Sequence, residues 1–442
     1  MVRLLLFLLF ISLQISTVAQ SYTSWITGDT ADANVLAPLP GAVLAGGGGD
    51  NDEAMAWMLA RADGGDVLVL RASNSDGYNN YFFSQLGVVV NSVETIRFDG
   101  PEASSDPYVI RRIREAEVVF MAGGDQFDYY EFWKDNEIEE ALRYLIHEKA
   151  ITLGGTSAGM AVLGHYYYAP SSLGVVASEA LSDPYHPFMD VLGGEDFLDV
   201  PYLEHTITDT HFDQRERAGR TMTFLARMVQ DFGIRAKGIA ANEYTAVAID
   251  ENGIARAFGE YPEFEEDQIY FMQALCESPL EPEQCVAGQP LDWQKGGQAV
   301  KVLRIPATLD GSGFIDLKDW ETQEGGEWEH WYVENGQLVQ EPNGTKPDCA
   351  DFVSTEDPIF APSYTVSPNP FQEGFWLERN ERINETWQVE LVNSLGVQVA
   401  VHRLDYGQTD IYWNTSTLAR GFYTLILRNQ NGQTDIRKLV KH

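Results

Sequence analysis

The stretch Ala150-Ile151-Thr152-Leu153-Gly154-Gly155-Thr156-Ser157-Ala158-Gly159-Met160 decides the fold. A short apolar run enters a glycine pair, and Gly-x-Ser-x-Gly then opens a helical pattern. A serine on a tight turn between strand and helix stands above the edge of a sheet. Its small neighbours let backbone and ligand approach. The backbone N–H that follows it faces the place where charge develops on an attacked carbonyl oxygen.

Working outward, the same pattern recurs. Residues 41–45 read as a buried strand running into Gly46-Gly47-Gly48-Gly49-Asp50, with a helix around 54–61. Further strands are predicted at 66–71, at Val88-Val89-Val90 and at 117–122, the last ending in Gly123-Gly124-Asp125-Gln126. Helical spacing of Ile138, Leu142, Leu145 and Ile146 leads back to the strand before Ser157. Short apolar strands alternating with helices predict an α/β fold on a parallel sheet covered on both faces. Ligands bind such sheets outside the carboxyl ends of the strands. The three glycine-rich turns are therefore expected on one edge.

Ser157 needs a base. Among eight histidines, His211 follows the β-branched run Thr206-Ile207-Thr208 and precedes Phe212-Asp213-Gln214-Arg215-Glu216-Arg217-Ala218-Gly219-Arg220. A histidine at a strand end can reach the edge that carries Ser157; His165 and His205 are the fallbacks. Arg215, Arg217 and Arg220 either pair with Asp213 and Glu216 on a solvated helix or bind a carboxylate through bidentate hydrogen bonds. No glycine turn supplies the lysine of a phosphate-binding loop, and Gly46–Gly49 matches a dinucleotide fingerprint only loosely, so no cofactor is expected. No metal is expected either, since apart from Asp209-x-His211 no closely spaced ligand set occurs.

The 442 residues carry a net charge of -36. This excludes a nucleic-acid partner, because phosphate neutralisation needs clustered Lys and Arg. Residues 250–364 hold 24 acids against six bases, whereas 365–442 hold eight of each. That step predicts a domain boundary near residue 360. At the other end, Arg3 precedes an apolar run from Leu4 to Ile11, and Ser16-Thr17-Val18-Ala19-Gln20 follows. Residues 1–20 therefore read as a secretory signal peptide, too short to span a bilayer. Export permits a disulfide, with Cys276 and Cys285 the candidate pair and Cys349 left over.

With these residues assembled, the chain from about Gly41 to Gly253 resembles the cyanophycinase-like serine peptidases, relatives of aspartyl dipeptidases. The resemblance is carried by Ala122-Gly123-Gly124-Asp125-Gln126, Gly154-Gly155-Thr156-Ser157-Ala158-Gly159 and Asp209-x-His211-Phe212-x-Gln214-Arg215-x-Arg217-x-x-Gly219-Arg220. Gly238-Ile239-Ala240-Ala241-Asn242-Glu243-Tyr244-Thr245-Ala246 is a weaker match. It implies a fold like the class I glutamine amidotransferases, a flavodoxin-like parallel sheet. It also implies Ser157 as nucleophile, His211 as base and an acid between them in the chain, for which Glu179 fits best by spacing. The oxyanion donors would be the N–H groups of Gly124 and Ala158. Gln126, Asp209, Arg215, Arg217 and Arg220 would bind a peptide substrate. Thr210 stands where the family tends to carry Gln, Met160 replaces a smaller residue, and the acidic stretch 250–345 has no counterpart in the compact bacterial enzyme. Polymer specificity is thus less firmly implied than serine peptidase chemistry.

Residues 346–364 read as a linker after an α/β peptidase domain at 21–345 with an acidic extension from about 250. Residues 365–442 alternate with period two around Gly and Asn turns, which predicts a small β-sandwich. Ser367-Pro368-Asn369-Pro370-Phe371, the Gly421-Phe422-Tyr423 strand and the Lys438-Leu439-Val440-Lys441 end resemble the sorting domains of type IX secretion. That resemblance implies the secretion machinery as partner and a secreted or cell-surface location. The competing functions are a catalytically silent ligand-binding protein of the same fold and an α/β-hydrolase-type esterase. The esterase would need a later histidine, and only His330 is available in that region.

Overall fold

The structure is a computed structural model that describes residues 21–33, 35, 38–277 and 279–347, then 364–367, 373–379, 387–393, 398–404, 410–416, 418, 421–429 and 434–441. The expected signal peptide and residues 348–363 of the expected linker lie outside the described residues. Two compact units divide the chain, residues 1–349 and 350–442.

The first unit opens with β1 (Tyr22–Gly28), β2 (Gly41–Ala45), β3 (Asp66–Arg71), β4 (Ser92–Phe98), β5 (Val118–Met121) and β6 (Thr152–Thr156). β7 (Tyr166–Tyr168), β8 (Leu192–Gly194), β9 (Thr206–Asp209), β10 (Lys237–Ala241) and β11 (Ala246–Ile249) follow. Then come β12 (Ile254–Tyr261), β13 (Gln268–Ala274), β14 (Val300–Pro306), β15 (Phe314–Asp316), β16 (Gln323–Glu324), β17 (Glu327–Glu334) and β18 (Gln337–Glu341).

These strands make two sheets. The first runs β1-β4-β3-β5-β6-β2-β11-β12-β15-β16. Its core β4-β3-β5-β6-β2 is parallel, and antiparallel strands flank it on both sides. β3, β5 and β6 are buried at every position, as strands covered on both faces must be. The second sheet runs β18-β17-β14-β13-β10-β9-β7-β8 and is parallel at β10-β9-β7. The helix Asp52–Ala60 starts at the carboxyl end of β2, where Asn51 Oδ1 caps it by accepting the Ala54 N–H at 3.0 Å.

Two expectations are corrected. The strand expected at 88–90 is a loop with Val89 83% exposed, and the strand lies at Ser92–Phe98. Glu94 hides that strand from a hydrophobicity reading, yet it is fully buried because the Arg112 guanidinium pairs with it at 2.5 Å. In the acidic extension after residue 250, β12, β15 and β16 extend the first sheet, and β13, β14, β17 and β18 extend the second. Finally, Cys276 is disulfide-bonded while Cys285 is a free buried thiol, so the pair 276–285 does not form. The third cysteine of the sequence, Cys349, lies outside the described residues.

The C-terminal unit is rich in strands. Tyr364–Ser367, Gly374–Arg379 and Asp410–Asn414 form one antiparallel sheet. Gln398–Leu404, Trp387–Asn393, Gly421–Asn429 and Thr434–Lys441 form another. Phe375, Leu377 and Trp413 of the first share one buried cluster with Val389, Leu391, Tyr423, Leu425 and Leu427 of the second. Among the described residues, no helix is long and apolar enough to cross a membrane.

Candidate active site

Ser157 directly follows β6 at the carboxyl edge of the parallel core, between strand and the short helix Ala158–Ala161. Its backbone is held at φ 52° and ψ -113°, a conformation that costs a non-glycine residue about 1–3 kcal/mol. The glycines of the turn make this geometry possible. A Cβ on Gly159 would lie 1.9 Å from the Met121 carbonyl oxygen, so only glycine lets the turn press against β5.

His211 follows β9 and Glu243 follows β10, so both stand at the carboxyl ends of neighbouring parallel strands of the second sheet. The Ser157 Oγ is 2.8 Å from His211 Nε2. On the other side of the ring, His211 Nδ1 is 2.6 Å from Glu243 Oε1. The turn after β2 backs this row. The Gly46 carbonyl accepts the His211 N–H at 2.8 Å, and a Cβ on Gly47 would lie 2.5 Å from His211 Cε1. The run Gly46–Gly49 is thus a close-packed floor under the histidine, which accounts for glycines that matched a nucleotide fingerprint only loosely.

Burial lowers the His211 pKa below the ordinary histidine value. The Glu243 carboxylate opposes that shift, while the charges of Arg215 and Arg217 reinforce it. A neutral imidazole facing a serine hydroxyl is a proton acceptor.

The sequence expectation for the acid is corrected here. Glu179 sits in the first turn of the helix Ala177–Ser182, where its Oε2 accepts the Val176 N–H at 3.1 Å. It caps its own helix and has no contact with His211. Glu243 takes the place beside the imidazole, and it follows the histidine in the chain. The stretch around it was already legible as a motif, but without the pairing of β9 with β10 nothing tied it to His211. The Glu243 N–H in turn donates to Gln214 Oε1 at 3.0 Å, which links the two strand ends.

A pocket of about 60 Å³ lies beside Ser157, lined by Gly124, Gln126, Ala158, Thr210 and the three arginines among others. Among the described residues, the N–H groups of Gly124 and Ala158 donate to no other backbone or side-chain group. Gln126 Nε2 donates to the Tyr168 carbonyl at 3.4 Å.

The arginines are not equivalent. Arg220 grips Asp209 with two bonds, Nε to Oδ2 at 3.0 Å and Nη2 to Oδ1 at 2.5 Å. Arg217 Nη1 reaches Asp209 Oδ1 at 3.3 Å, the Thr210 carbonyl at 2.7 Å and Thr210 Oγ1 at 2.9 Å. Thr221 Oγ1 and the Thr210 N–H complete the shell of Asp209. Burial alone would raise the Asp209 pKa, but the two guanidinium groups hold it below the usual carboxylate range. Asp209 therefore borders the pocket as an anchor for the arginines, with no free oxygen for a ligand. Arg217 is pushed down to about 10 by burial, with Arg220 and Arg215 repelling it. Arg215 is exposed, and its side chain makes no hydrogen bond or ion pair among the described residues. Three cations against one anchored carboxylate leave the pocket net positive, suited to an anionic group. Among the described residues, no cluster could hold a metal ion.

Residues 72–256 match the family model of Peptidase family S51, and residues 365–442 match that of the Secretion system C-terminal sorting domain. A cyanophycinase of Geminocystis herdmanii is 29% identical over 154 residues, 34% of this chain and 51% of the relative. A cyanophycinase of Trichormus variabilis is 27% identical over 178 residues, 40% of this chain and 53% of the relative. The chain thus spans about half the length of the curated relatives it matches. Among solved structures, a peptidase from an acI-B1 Actinobacterium aligns with a TM-score of 0.39 at 14% identity, covering 52% of this chain and 90% of that one. The first unit is thus similar to Peptidase family S51 over residues 72–256, and the match of residues 365–442 to a C-terminal sorting domain indicates export through the type IX system to the cell surface or outside.

Proposed function

We propose that the protein is an exported serine peptidase that works through Ser157, His211 and Glu243. The observation that carries this reading is the unbroken row Ser157 Oγ, His211 Nε2, His211 Nδ1 and Glu243 Oε1, with contacts of 2.8 and 2.6 Å. Ser157 Oγ attacks the carbonyl carbon of the scissile bond as its proton passes to His211 Nε2. The carbonyl oxygen gains the negative charge, and the N–H groups of Gly124 and Ala158 stabilise it. His211 then gives the proton to the leaving nitrogen, and the C–N bond breaks. Water, deprotonated by the same imidazole, hydrolyses the acyl ester and restores the serine. Glu243 holds the ring in one tautomer and balances the imidazolium that forms.

Its substrate is a peptide with a carboxylate near the scissile bond, recognised chiefly by Arg215. A β-aspartyl-arginine linkage meets that requirement, and the cyanophycinase relatives support it. Thr210 removes a longer amide side chain from the pocket and favours a broader range of acidic peptides.

The test is hydrolysis of cyanophycin, β-Asp-Arg dipeptide, N-terminal-Asp peptides and simple esters by the natural protein and by Ser157→Ala. The expected result is turnover of at least one acidic peptide, abolished in Ser157→Ala with the fold intact. Binding of these ligands without turnover, and without labelling by a serine-directed phosphonate, would establish a silent binding protein instead.

A further inference from the structure

We infer that His330 is an acid-sensitive clasp on the last described segment of the first unit, the run that precedes the C-terminal unit. His330 lies on β17, directly opposite Lys301 of β14. Its Nε2 is 2.8 Å from the Thr345 N–H donor and 2.9 Å from the Lys301 ammonium. Thr345 Oγ1 is a third neighbour at 3.2 Å. A ring nitrogen that accepts from a backbone N–H cannot itself carry a proton. The backbone donor at Thr345 has no alternative protonation state, so this arrangement exists only with neutral His330.

The surroundings make the choice sharp. Lys301 is 4% exposed, and its other bonds go to neutral oxygens, Gln298 Oε1 at 2.6 Å and Thr345 Oγ1 at 3.1 Å. Among the described residues no carboxylate forms an ion pair with it. Burial and the Lys301 charge both lower the His330 pKa. The charged groups facing the site are Lys301 from β14, Glu341 across the β17–β18 register and Glu277 beyond β13, while Lys346, next to Thr345 in the chain, pairs with Glu321 at 3.9 Å. The opposing influences are a backbone hydrogen bond with Thr345 and, after it, the Glu341 carboxylate.

Protonating Nε2 turns the shared acceptor into a donor aimed at two other donors. The bond to Thr345 and the bond to Lys301 are lost together, and a second positive charge stands beside the ammonium. The Thr345 backbone is then held only through its neighbour, the Gly344 N–H to the Trp328 carbonyl at 2.7 Å, while the Thr345 hydroxyl keeps its contact with Lys301 Nζ at 3.1 Å. Because the folded pKa is depressed, the clasp is complete above the ordinary histidine value of 6.5 and weakens as pH falls below it.

The experiment uses the full chain, with hydrogen exchange at the Thr345 amide, corrected for intrinsic rates, between pH 7.5 and pH 5, and NMR titration of His330. Protection is expected to fall by on the order of tenfold per pH unit once His330 protonates. His330→Gln, which keeps an acceptor but takes no proton, should show protection independent of pH. Lys301→Met should move the His330 titration upward. Unchanged protection at Thr345 across that range, or an ordinary His330 titration in the natural protein, overturns the inference without needing any variant to fold. The same pH dependence in His330→Gln overturns it as well. None of these readouts depends on Ser157 chemistry.

Discussion

His211 and Glu243 stand side by side because β9 and β10 are parallel neighbours, which sets Nδ1 and Oε1 2.6 Å apart across 32 positions of chain. The consequence is a ranking of the two glutamates. Glu243→Ala should lower kcat by about 10³–10⁴-fold, the scale of losing the group that orients a catalytic imidazole. Glu179→Ala should leave kcat within about twofold and cost about 0.5 kcal/mol of stability, the scale of an acidic group in a first helical turn. Steady-state kinetics and thermal melts of both variants decide it, and the reverse order would sink the assignment.

The pH profile follows from the site's electrostatics. His211 must be neutral to accept the serine proton, and its pKa is depressed by burial and by Arg215 and Arg217. Activity should therefore persist as pH falls past 6.5, then drop as pH passes through the lowered value. Arg215→Ala removes one repelling charge, so the acid limb of kcat/KM should move to higher pH. A limb that stays put or moves down contradicts this account.

Arg215 and Asp209 should separate binding from folding. Arg215→Ala is expected to raise KM for acidic peptides about tenfold, a loss near 1.4 kcal/mol, with stability changed by less than about 0.5 kcal/mol. Asp209→Asn leaves Arg217 and Arg220 without their buried anion and should cost about 3–5 kcal/mol. Equal melting temperatures for these two variants would show that Asp209 is not an anchor.

Gly47→Ala tests the floor beneath the histidine. Gly47 has φ +97°, and its added methyl would meet His211 Cε1 at 2.5 Å. Displacing the ring by about 1 Å should reduce kcat on the order of 10²-fold. Substitution of Gly64, with φ +81° and nothing within 4 Å, controls for backbone strain and should leave kcat unchanged.

Ser157 and His211 were legible because each is announced locally, by a strand that ends in a turn of recognisable composition. The parallel core was legible for the same reason, since β3, β5 and β6 carry their burial in their own residues. Glu243 was not, although its stretch stood out. Its meaning depends on which strand lies next to β10, and that is decided by partners far away in sequence. Spacing favoured Glu179, a residue that serves only the first turn of its own helix. β4 was misplaced because a buried glutamate with a remote arginine looks like surface in a one-dimensional reading. The acidic extension shows its charge in its composition but not its core: Ile269, Phe271, Leu303 and Ile305 within it are fully buried.

Glu243 also occupies a telling place in the chain path. β10 belongs to the second sheet and β11 to the first, so the chain crosses between sheets over residues 242–245. The joint between the two layers in the row is thus the Ser157–His211 contact, since Ser157 follows β6 of the first sheet while His211 and Glu243 both follow neighbouring strands of the second. The crossing is pinned on both sides, by the Tyr244 N–H on the Gly47 carbonyl at 2.9 Å and by the Asp213 N–H on Asn242 Oδ1 at 3.0 Å. A slip of one layer against the other would open the row between Ser157 and His211, while the His211–Glu243 pair, carried on two bonded strands of one sheet, would move as a unit.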